Sequence, residues 1–313
     1  MAEALAYLNG QVLPVSQARL PVYDAGVVQG VAVAEQCRTF KLRPFRLDEH
    51  LDRLFRSLRY LELDIGLKNE DLADISEQLV AHNGKLLDAG DELGVIQFVT
   101  PGPYPTYAGM SEPSARPLPT VCVHTFRLPF ELWSDKMQEG ARLETPTTRH
   151  VPPDCYSPQV KHRSRLHFYL AEREVRLHDP QALALLLDVN GNVTETNGAN
   201  FLMVERGAIV SPTTRNILPG VSRNVVREIA EKLGIPFSER DVSVAAAITA
   251  DEALLTSTPY CVMPVSSING RDIGDGKPGP VFQRLLQSWS EEVGVDIKQQ
   301  IVDSAKRGKA QER

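Results

Sequence analysis

The residues best suited to chemistry lie between Pro158 and Val204. Lys161 sits in Ser157-Pro-Gln-Val-Lys-His-Arg-Ser-Arg-Leu, just ahead of a helical pattern. A lysine at a strand–helix junction can be desolvated, and a desolvated amine loses its charge easily. The neutral amine is then a nucleophile for a carbonyl group. Further on, Glu195 opens Glu-Thr-Asn-Gly-Ala-Asn200-Phe, on the returning arm of a hairpin that brings it back toward the lysine. Arg53 lies beside the apolar stripe of an amphipathic helix, where a guanidinium is ordinarily solvated. Ile217-Leu-Pro-Gly-Val-Ser-Arg223 places a glycine at a helix start. Free backbone N–H groups and the positive dipole end make such a start an anion site, although the same residues can form only a cap. Ala253-Leu-Leu-Thr-Ser-Thr258-Pro runs into a hydroxyl-rich turn, whose hydroxyls can equally satisfy their own backbone.

Several elements must position these groups. Leu5 to Val15 reads as a hairpin around Asn9-Gly10. Gln36 to Phe40 continues a strand. Leu47 to Leu61 is a helix with Leu47, Leu51, Leu54, Phe55, Leu58 and Leu61 on one stripe and Asp48 as its expected N-cap. Arg56 and Arg59 face solvent. A second helix covers Asn69 to His82, and strands cover Leu93–Val99 and Thr120–Thr125. Thr100 to Gly109 is a proline-rich loop. After Lys161 the helical pattern is Leu166, Leu170, Val175 and Leu177. With Val160, that apolar helix is expected to supply the low-dielectric surroundings of the lysine. Ala182 to Asp188 is a strand, Val189-Asn-Gly-Asn a turn, and Asn200 to Val204 another buried strand. The phosphate-type helix start leads a stripe of Val225, Ile229 and Leu233 that ends at Gly234. A last amphipathic helix carries Val281, Phe282, Leu285, Leu286 and Trp289. From Lys298 the chain is charged and low in apolar residues, and reads as a mobile or peripheral tail.

Composition narrows the function. The chain has 313 residues, enough for two domains with cores of their own. A formal net charge of −6 argues against nucleic acid, which favours a basic face. Cys37, Cys122, Cys155 and Cys261 are scattered with no Cys-x-x-Cys, so neither a zinc site nor a disulfide framework is indicated, and the seven histidines form no ligand pattern. The N-terminus has no basic region followed by an apolar core, and no apolar run reaches membrane-spanning length. These features read as a soluble cytoplasmic protein with no membrane or nucleic-acid partner.

Lys161 followed by Glu195-x-x-x-x-Asn200-Phe resembles the fold-type IV (class IV) pyridoxal-phosphate enzymes, from about Tyr23 to Ile297. That family includes branched-chain aminotransferases, D-amino-acid aminotransferases and 4-amino-4-deoxychorismate lyases. The resemblance implies an α+β, two-domain fold: a smaller α/β N-terminal domain (1–126), a linker (127–134), a larger C-terminal domain with a β-barrel-like core (135–297), and the charged tail (298–313). It implies that Lys161 carries pyridoxal 5′-phosphate and that Glu195 faces the ring nitrogen, with Asn200 supporting the Glu195 turn. His50-Leu-Asp-Arg53-Leu resembles the family's His-x-x-Arg-Leu, which gives Arg53 the cofactor phosphate. Val221, Ser222 and Thr258 join it there, while Glu35, Ser257 and Arg165 are expected at the substrate. A homodimer is also implied.

Leu187-Asp-Val-Asn-Gly191 and Gly274-Asp-Gly-Lys-Pro-Gly-Pro280 most resemble the branched-chain enzymes. The implied reaction moves an amino group between an L-amino acid, branched-chain or otherwise apolar, and 2-oxoglutarate. Departures bear on substrate. Ala34 stands where the family often has an aromatic residue, Leu166 where it has a tyrosine, and Gln97 to Pro103 contains no Tyr-x-Arg. No Arg-x-His pair falls between Thr100 and Ala115, which argues against D-amino acids. The alternative is the lyase. Its Lys-His-x-Asn-Arg-Leu is close to Lys161-His-Arg-Ser164-Arg165-Leu, with Glu35 where lyases carry a threonine linked to proton handling. A cofactor-binding protein without turnover is the second alternative.

Overall fold

The computed structural model describes residues 3–111 and 118–311. The chain divides into two compact units, Met1–Leu128 with Val160–Ser164, and Pro129–Gln159 with Arg165–Arg313. The chain passes from the first unit to the second at Leu128/Pro129. The five residues around Lys161 belong to the first unit, not to the C-terminal one as the sequence suggested.

The first unit begins with β1 (Leu5–Leu8) and β2 (Gln11–Pro14). Asn9 and Gly10 between them both have positive φ (48° and 87°), as a tight two-residue hairpin turn requires. A short helix α1 (Ala25–Val28) is capped by the Asp24 carboxylate, which accepts from the Gly26 N–H at 2.7 Å. Then come β3 (Val33–Phe40), β4 (Arg43–Pro44), α2 (Leu47–Tyr60), α3 (Asn69–Asn83), β5 (Leu93–Thr100) and β6 (Thr120–Arg127). The strands form one sheet in the order β2-β1-β6-β5-β3-β4. One face of it, with Val33, Cys37, Val95, Val99 and Val123, packs on Leu51, Leu54 and Leu58 of α2 and on Leu72 and Leu79 of α3. Asp48 is not the N-cap of α2. Arg46 holds that position with a left-handed backbone (φ 56°), and Asp48 and Glu49 lie in the first turn, where their charges favour the dipole.

The second unit contains α4 (Ser134–Glu139), β7 (Ala141–Glu144), α5 (Leu166–Arg176), β8 (Leu183–Leu187), β9 (Val193–Thr196), β10 (Asn200–Glu205) and β11 (Ala208–Ser211). It continues with α6 (Val221–Lys232), β12 (Phe237–Glu239), α7 (Val244–Ile248), β13 (Glu252–Ser257), β14 (Cys261–Ile268), β15 (Arg271–Asp272), α8 (Pro280–Val293) and α9 (Ile297–Gln311). The sheet runs β12-β11-β10-β13-β14-β7-β8-β9, and β9 pairs back onto β10. Six strands therefore close into a ring, the barrel-like core that the resemblance implied.

Two further expectations are corrected. Leu166, Leu170 and Leu177 of the anticipated α5 stripe are 69%, 45% and 85% exposed. The buried face is Phe168, Ala171, Glu172 and Val175, against Ala184 and Leu186 of β8. The leucines of the expected stripe are therefore not the face that the helix buries. The second correction concerns the tail from 298. Up to Gln311 it is helix α9, anchored by buried Ile297, Ile301, Val302 and Ala305, which recur at helical spacing among the charges.

Candidate active site

In the first unit, Lys161 lies on an extended segment paired with the start of β3. Its carbonyl accepts the Ala34 N–H at 2.9 Å, and its N–H lies 3.3 Å from the Ser57 hydroxyl of α2. Lys161 itself is half-buried. Directly after Ala34 comes Glu35, which is fully buried. Alternation along β3 turns Glu35 toward α2. There Arg53 grips it with two hydrogen bonds, Nε to Oε1 at 2.6 Å and Nη2 to Oε2 at 2.8 Å. His50 Nδ1 lies 2.8 Å from Oε2. His50 and Arg53 are three apart on the helix and so share a face. Burial pushes the Glu35 carboxyl upward, but the Arg53 charge and the hydrogen bonds from Arg53 and His50 hold it well below the ordinary carboxylate range. Burial lowers the His50 pKa; Glu35 opposes this, while the charges of Arg53 and Lys161 add to it. The arrangement is a buried, ionised pair beside a histidine kept neutral.

In the second unit, the Glu195 carboxylate is held from several sides. Asn200 Nδ2 donates to Oε2 at 2.9 Å and also to the Leu218 carbonyl at 2.8 Å. The Leu218 N–H lies 3.3 Å from both oxygens, and His150 Nε2 is 3.4 Å from Oε1. Glu195 and Asn200 face each other across β9 and β10. Asp188, just past the end of β8, accepts from Asn216 at 3.3 Å, so two carboxylates tie down the loop that leads into α6. That loop ends in Gly220, the N-cap of α6, which provides no side-chain cap for the N–H groups of Val221 and Ser222. A Cβ on Gly220 would collide with Asn200 Oδ1, so only glycine allows this approach. Across from Asn200 on β13 is Thr256, 2% exposed, whose Oγ1 has no hydrogen-bond partner among the described residues. An uncapped helix N-terminus, an orphaned buried hydroxyl and a framed carboxylate are the donor and acceptor set that a phosphorylated pyridine cofactor requires. The residues present fit pyridoxal phosphate.

Sequence reasoning singled out nine residues. Lys161, Glu35 and Arg53 share the first unit, and Glu195, Val221, Ser222, Ser257, Thr258 and Arg165 share the second. Glu35 has no exposed surface to offer a substrate; its oxygens face Arg53 and His50. The Ser257 hydroxyl donates to the Gly198 carbonyl, which joins the end of β13 to the Glu195 hairpin. The Arg165 guanidinium donates twice to Asn197 Oδ1, at 3.1 and 2.7 Å, and lies over the Phe168 ring. Thr258 lies half-buried in the turn between β13 and β14. His50, Ser57, His150, Leu218 and Thr256 were not foreseen as site residues. His50 alone carried a signal, its place three residues before Arg53. Among the described residues no His, Cys, Asp and Glu side chains cluster as metal ligands. No described helix is long and apolar enough to cross a membrane.

Comparison with known proteins places this geometry among relatives. A family model described as amino-transferase class IV matches residues 32–268. A branched-chain-amino-acid aminotransferase-like protein of Arabidopsis thaliana is 33% identical over 95% of this chain. The chain spans about half (52%) of that relative's length. A putative branched-chain-amino-acid aminotransferase of Methanocaldococcus jannaschii is 31% identical, over 91% of this chain and 95% of its own. A D-alanine aminotransferase of Staphylococcus haemolyticus is 28% identical, over 91% of this chain and 96% of its own. Among solved structures, the T.th. branched-chain amino acid aminotransferase with pyridoxamine 5′-phosphate superimposes with a TM-score of 0.82 at 27% identity, covering 94% of this chain and 95% of that one.

Proposed function

This chain belongs to the amino-transferase class IV family, and we propose on that premise that it is a pyridoxal-phosphate-dependent aminotransferase. Its proposed donor is an L-amino acid with a branched or other apolar side chain, and its acceptor 2-oxoglutarate. The observation that carries the reading is the buried Glu195 carboxylate, framed by Asn200 and the Leu218 amide below the uncapped start of α6. The reading includes a homodimer and a cytoplasmic setting.

When bound, the cofactor supplies an electron sink for charge left on the substrate's α-carbon. The chain's own residues do the rest. Lys161 Nζ would be the covalent anchor for that cofactor, and its amine would be the group that takes and returns the substrate's α-proton. The Glu195 carboxylate would favour a protonated ring nitrogen in that cofactor. Asn200 and Leu218 hold that carboxylate still, so no reorganisation is needed as charge develops. The N–H groups of Val221 and Ser222, the Thr258 hydroxyl and, from the first unit, Arg53 are each assigned to the phosphate, which they would hold when the cofactor binds. Glu35 keeps the Arg53 guanidinium in one rotamer for that task.

A half-reaction screen tests the proposal. Purified protein with cofactor is mixed with L- and D-amino acids, D-alanine among them, and the visible band is followed as it converts to the amine form. Conversion by L-leucine, L-isoleucine or L-valine, reversed by 2-oxoglutarate, is expected. Conversion by D-alanine alone would assign the chain to the activity named for its staphylococcal relatives. The sequence argument against D-amino acids rests partly on residues 112–115, which lie outside the described residues. Release of pyruvate and 4-aminobenzoate from aminodeoxychorismate, with no amino acid converted, would establish the lyase instead.

A second test is Glu195→Gln. The amide oxygen can keep the bonds from Asn200 and Leu218. The new NH2 can take the place of Oε1, 3.4 Å from His150 Nε2. The fold and cofactor content therefore survive, while kcat falls about 100-fold, within the range of a lost proton-holding group. Full turnover in this variant would show that the ring nitrogen does not face Glu195.

A further inference from the structure

The segment Val160–Ser164 runs antiparallel along the start of β3. The Ala34 N–H donates to Lys161, the Arg163 N–H donates to Ala32 at 2.7 Å, and His162 bridges Val33. Side chains alternate along such a segment. Val160 and Val33 both point into the core of the first unit. Lys161 and Arg163 therefore share the opposite face, that of Ala32 and Ala34. The register carries this face across the sheet, through the rows Ala34–Phe98–Cys122 and Gln36–Ile96–His124. His124 lies edge-on to Phe98, with ring centroids 6.4 Å apart. Burial lowers the His124 pKa and the Arg163 charge adds to that effect, so the two side chains are near each other.

Arg163 is exposed, and among the described residues its guanidinium makes no hydrogen bond or ion pair. This contrasts with Arg53, which is committed to Glu35 on the other face of β3, and with Arg165, which is committed to Asn197. We propose that Arg163 receives the distal carboxylate of a five-carbon dicarboxylic substrate whose 2-position is worked on by Lys161. A planar guanidinium binds a carboxylate with two parallel hydrogen bonds, a geometry that a lysine cannot reproduce. Two strand rises, roughly 7 Å, separate the two residues along the segment, and their long side chains can converge on the ends of one small diacid. Ala34, Ile96 and Phe98 give the linking methylenes an apolar floor. The inference rests on the aminotransferase reading for the role of Lys161, but not for the binding of the diacid.

The test uses two unreactive acids, glutarate and 4-methylvalerate, and equilibrium binding to the cofactor-loaded protein. Arg163→Gln is expected to weaken glutarate binding roughly 10- to 100-fold, the loss of a charge-assisted pair, and to leave 4-methylvalerate within about twofold. Arg163→Lys keeps the charge without the fork and should fall between. In the half-reaction, the KM for 2-oxoglutarate should rise in the same order while that for a monocarboxylic 2-oxo acid does not. Equal loss for both acids, no loss for either, or a wild-type protein that binds neither would overturn the assignment. A protein that binds glutarate through Arg163 but converts no amino acid would instead sink the aminotransferase reading and leave this site standing.

Discussion

Lys161→Ala is expected to abolish the proposed transamination, with a loss of about a thousandfold or more, because the variant would lack both the proposed covalent anchor and the proposed proton carrier. Two bonds that hold residue 161 in place run through its backbone, to the Ala34 N–H and the Ser57 hydroxyl. Replacing the side chain leaves those bonds intact, so the variant should melt within a few degrees of the wild type. The residues proposed for the phosphate are also untouched, so free cofactor still binds, without the band of the lysine-bound form. Borohydride reduction of the wild-type protein followed by peptide mapping checks the assignment directly. The adduct belongs on the peptide containing Lys161. Lys232 is an unsuitable competitor, since it is exposed and its amine pairs with Glu292 at 2.9 Å. An adduct on any other lysine, or none in a coloured protein, overturns the reading.

Glu35→Ala is expected to cost about 3–5 kcal/mol of stability, the range for removing one partner of a buried pair. That is a large share of the ~5–15 kcal/mol that keeps a domain folded. The loss comes from what remains: Arg53 is 3% exposed and would keep its charge in the core beside a buried His50. The same cluster predicts acid sensitivity. His50 has its pKa lowered in the fold from 6.5, so below about pH 6.5 the unfolded chain takes up a proton that the folded one refuses, and stability falls. Glu35 is lowered from 4.5, so its contribution is present above that value and is lost as the pH falls toward its folded pKa. The melting temperature should therefore decline on acidification, gently at first and then steeply. Thermal melts of wild type and Glu35→Ala, run from neutral pH to well below the ordinary carboxylate range, measure both effects. A variant destabilised by less than about 1 kcal/mol would mean that Arg53 finds solvent or another partner easily.

The sequence by itself determined the elements whose signals are local. Asn9-Gly10 specifies a tight turn because both positions adopt positive φ. The leucines of α2 specify their buried face because they fall on one stripe with no competing apolar face. The lysine, the glutamate and the glycine helix start were legible as types at a spacing, and the family follows from their order.

Tertiary structure decided what depends on a second element. Helix α5 carries two apolar stripes at helical spacing, and β8 selects the one with Phe168, Ala171 and Val175, leaving three leucines exposed. Helix α9 reads as a charged tail until four apolar residues find partners to bury them. Arg53 looked like an isolated helix arginine, because its partner Glu35 lies 18 residues earlier on a strand. His150 reaches Glu195 from 45 positions away, and nothing in its local sequence marks it. Turn propensity and helical periodicity act over a few residues and can be read one element at a time. A buried charge pair or the choice between two apolar faces is settled only by free energy gained when distant segments exclude water together.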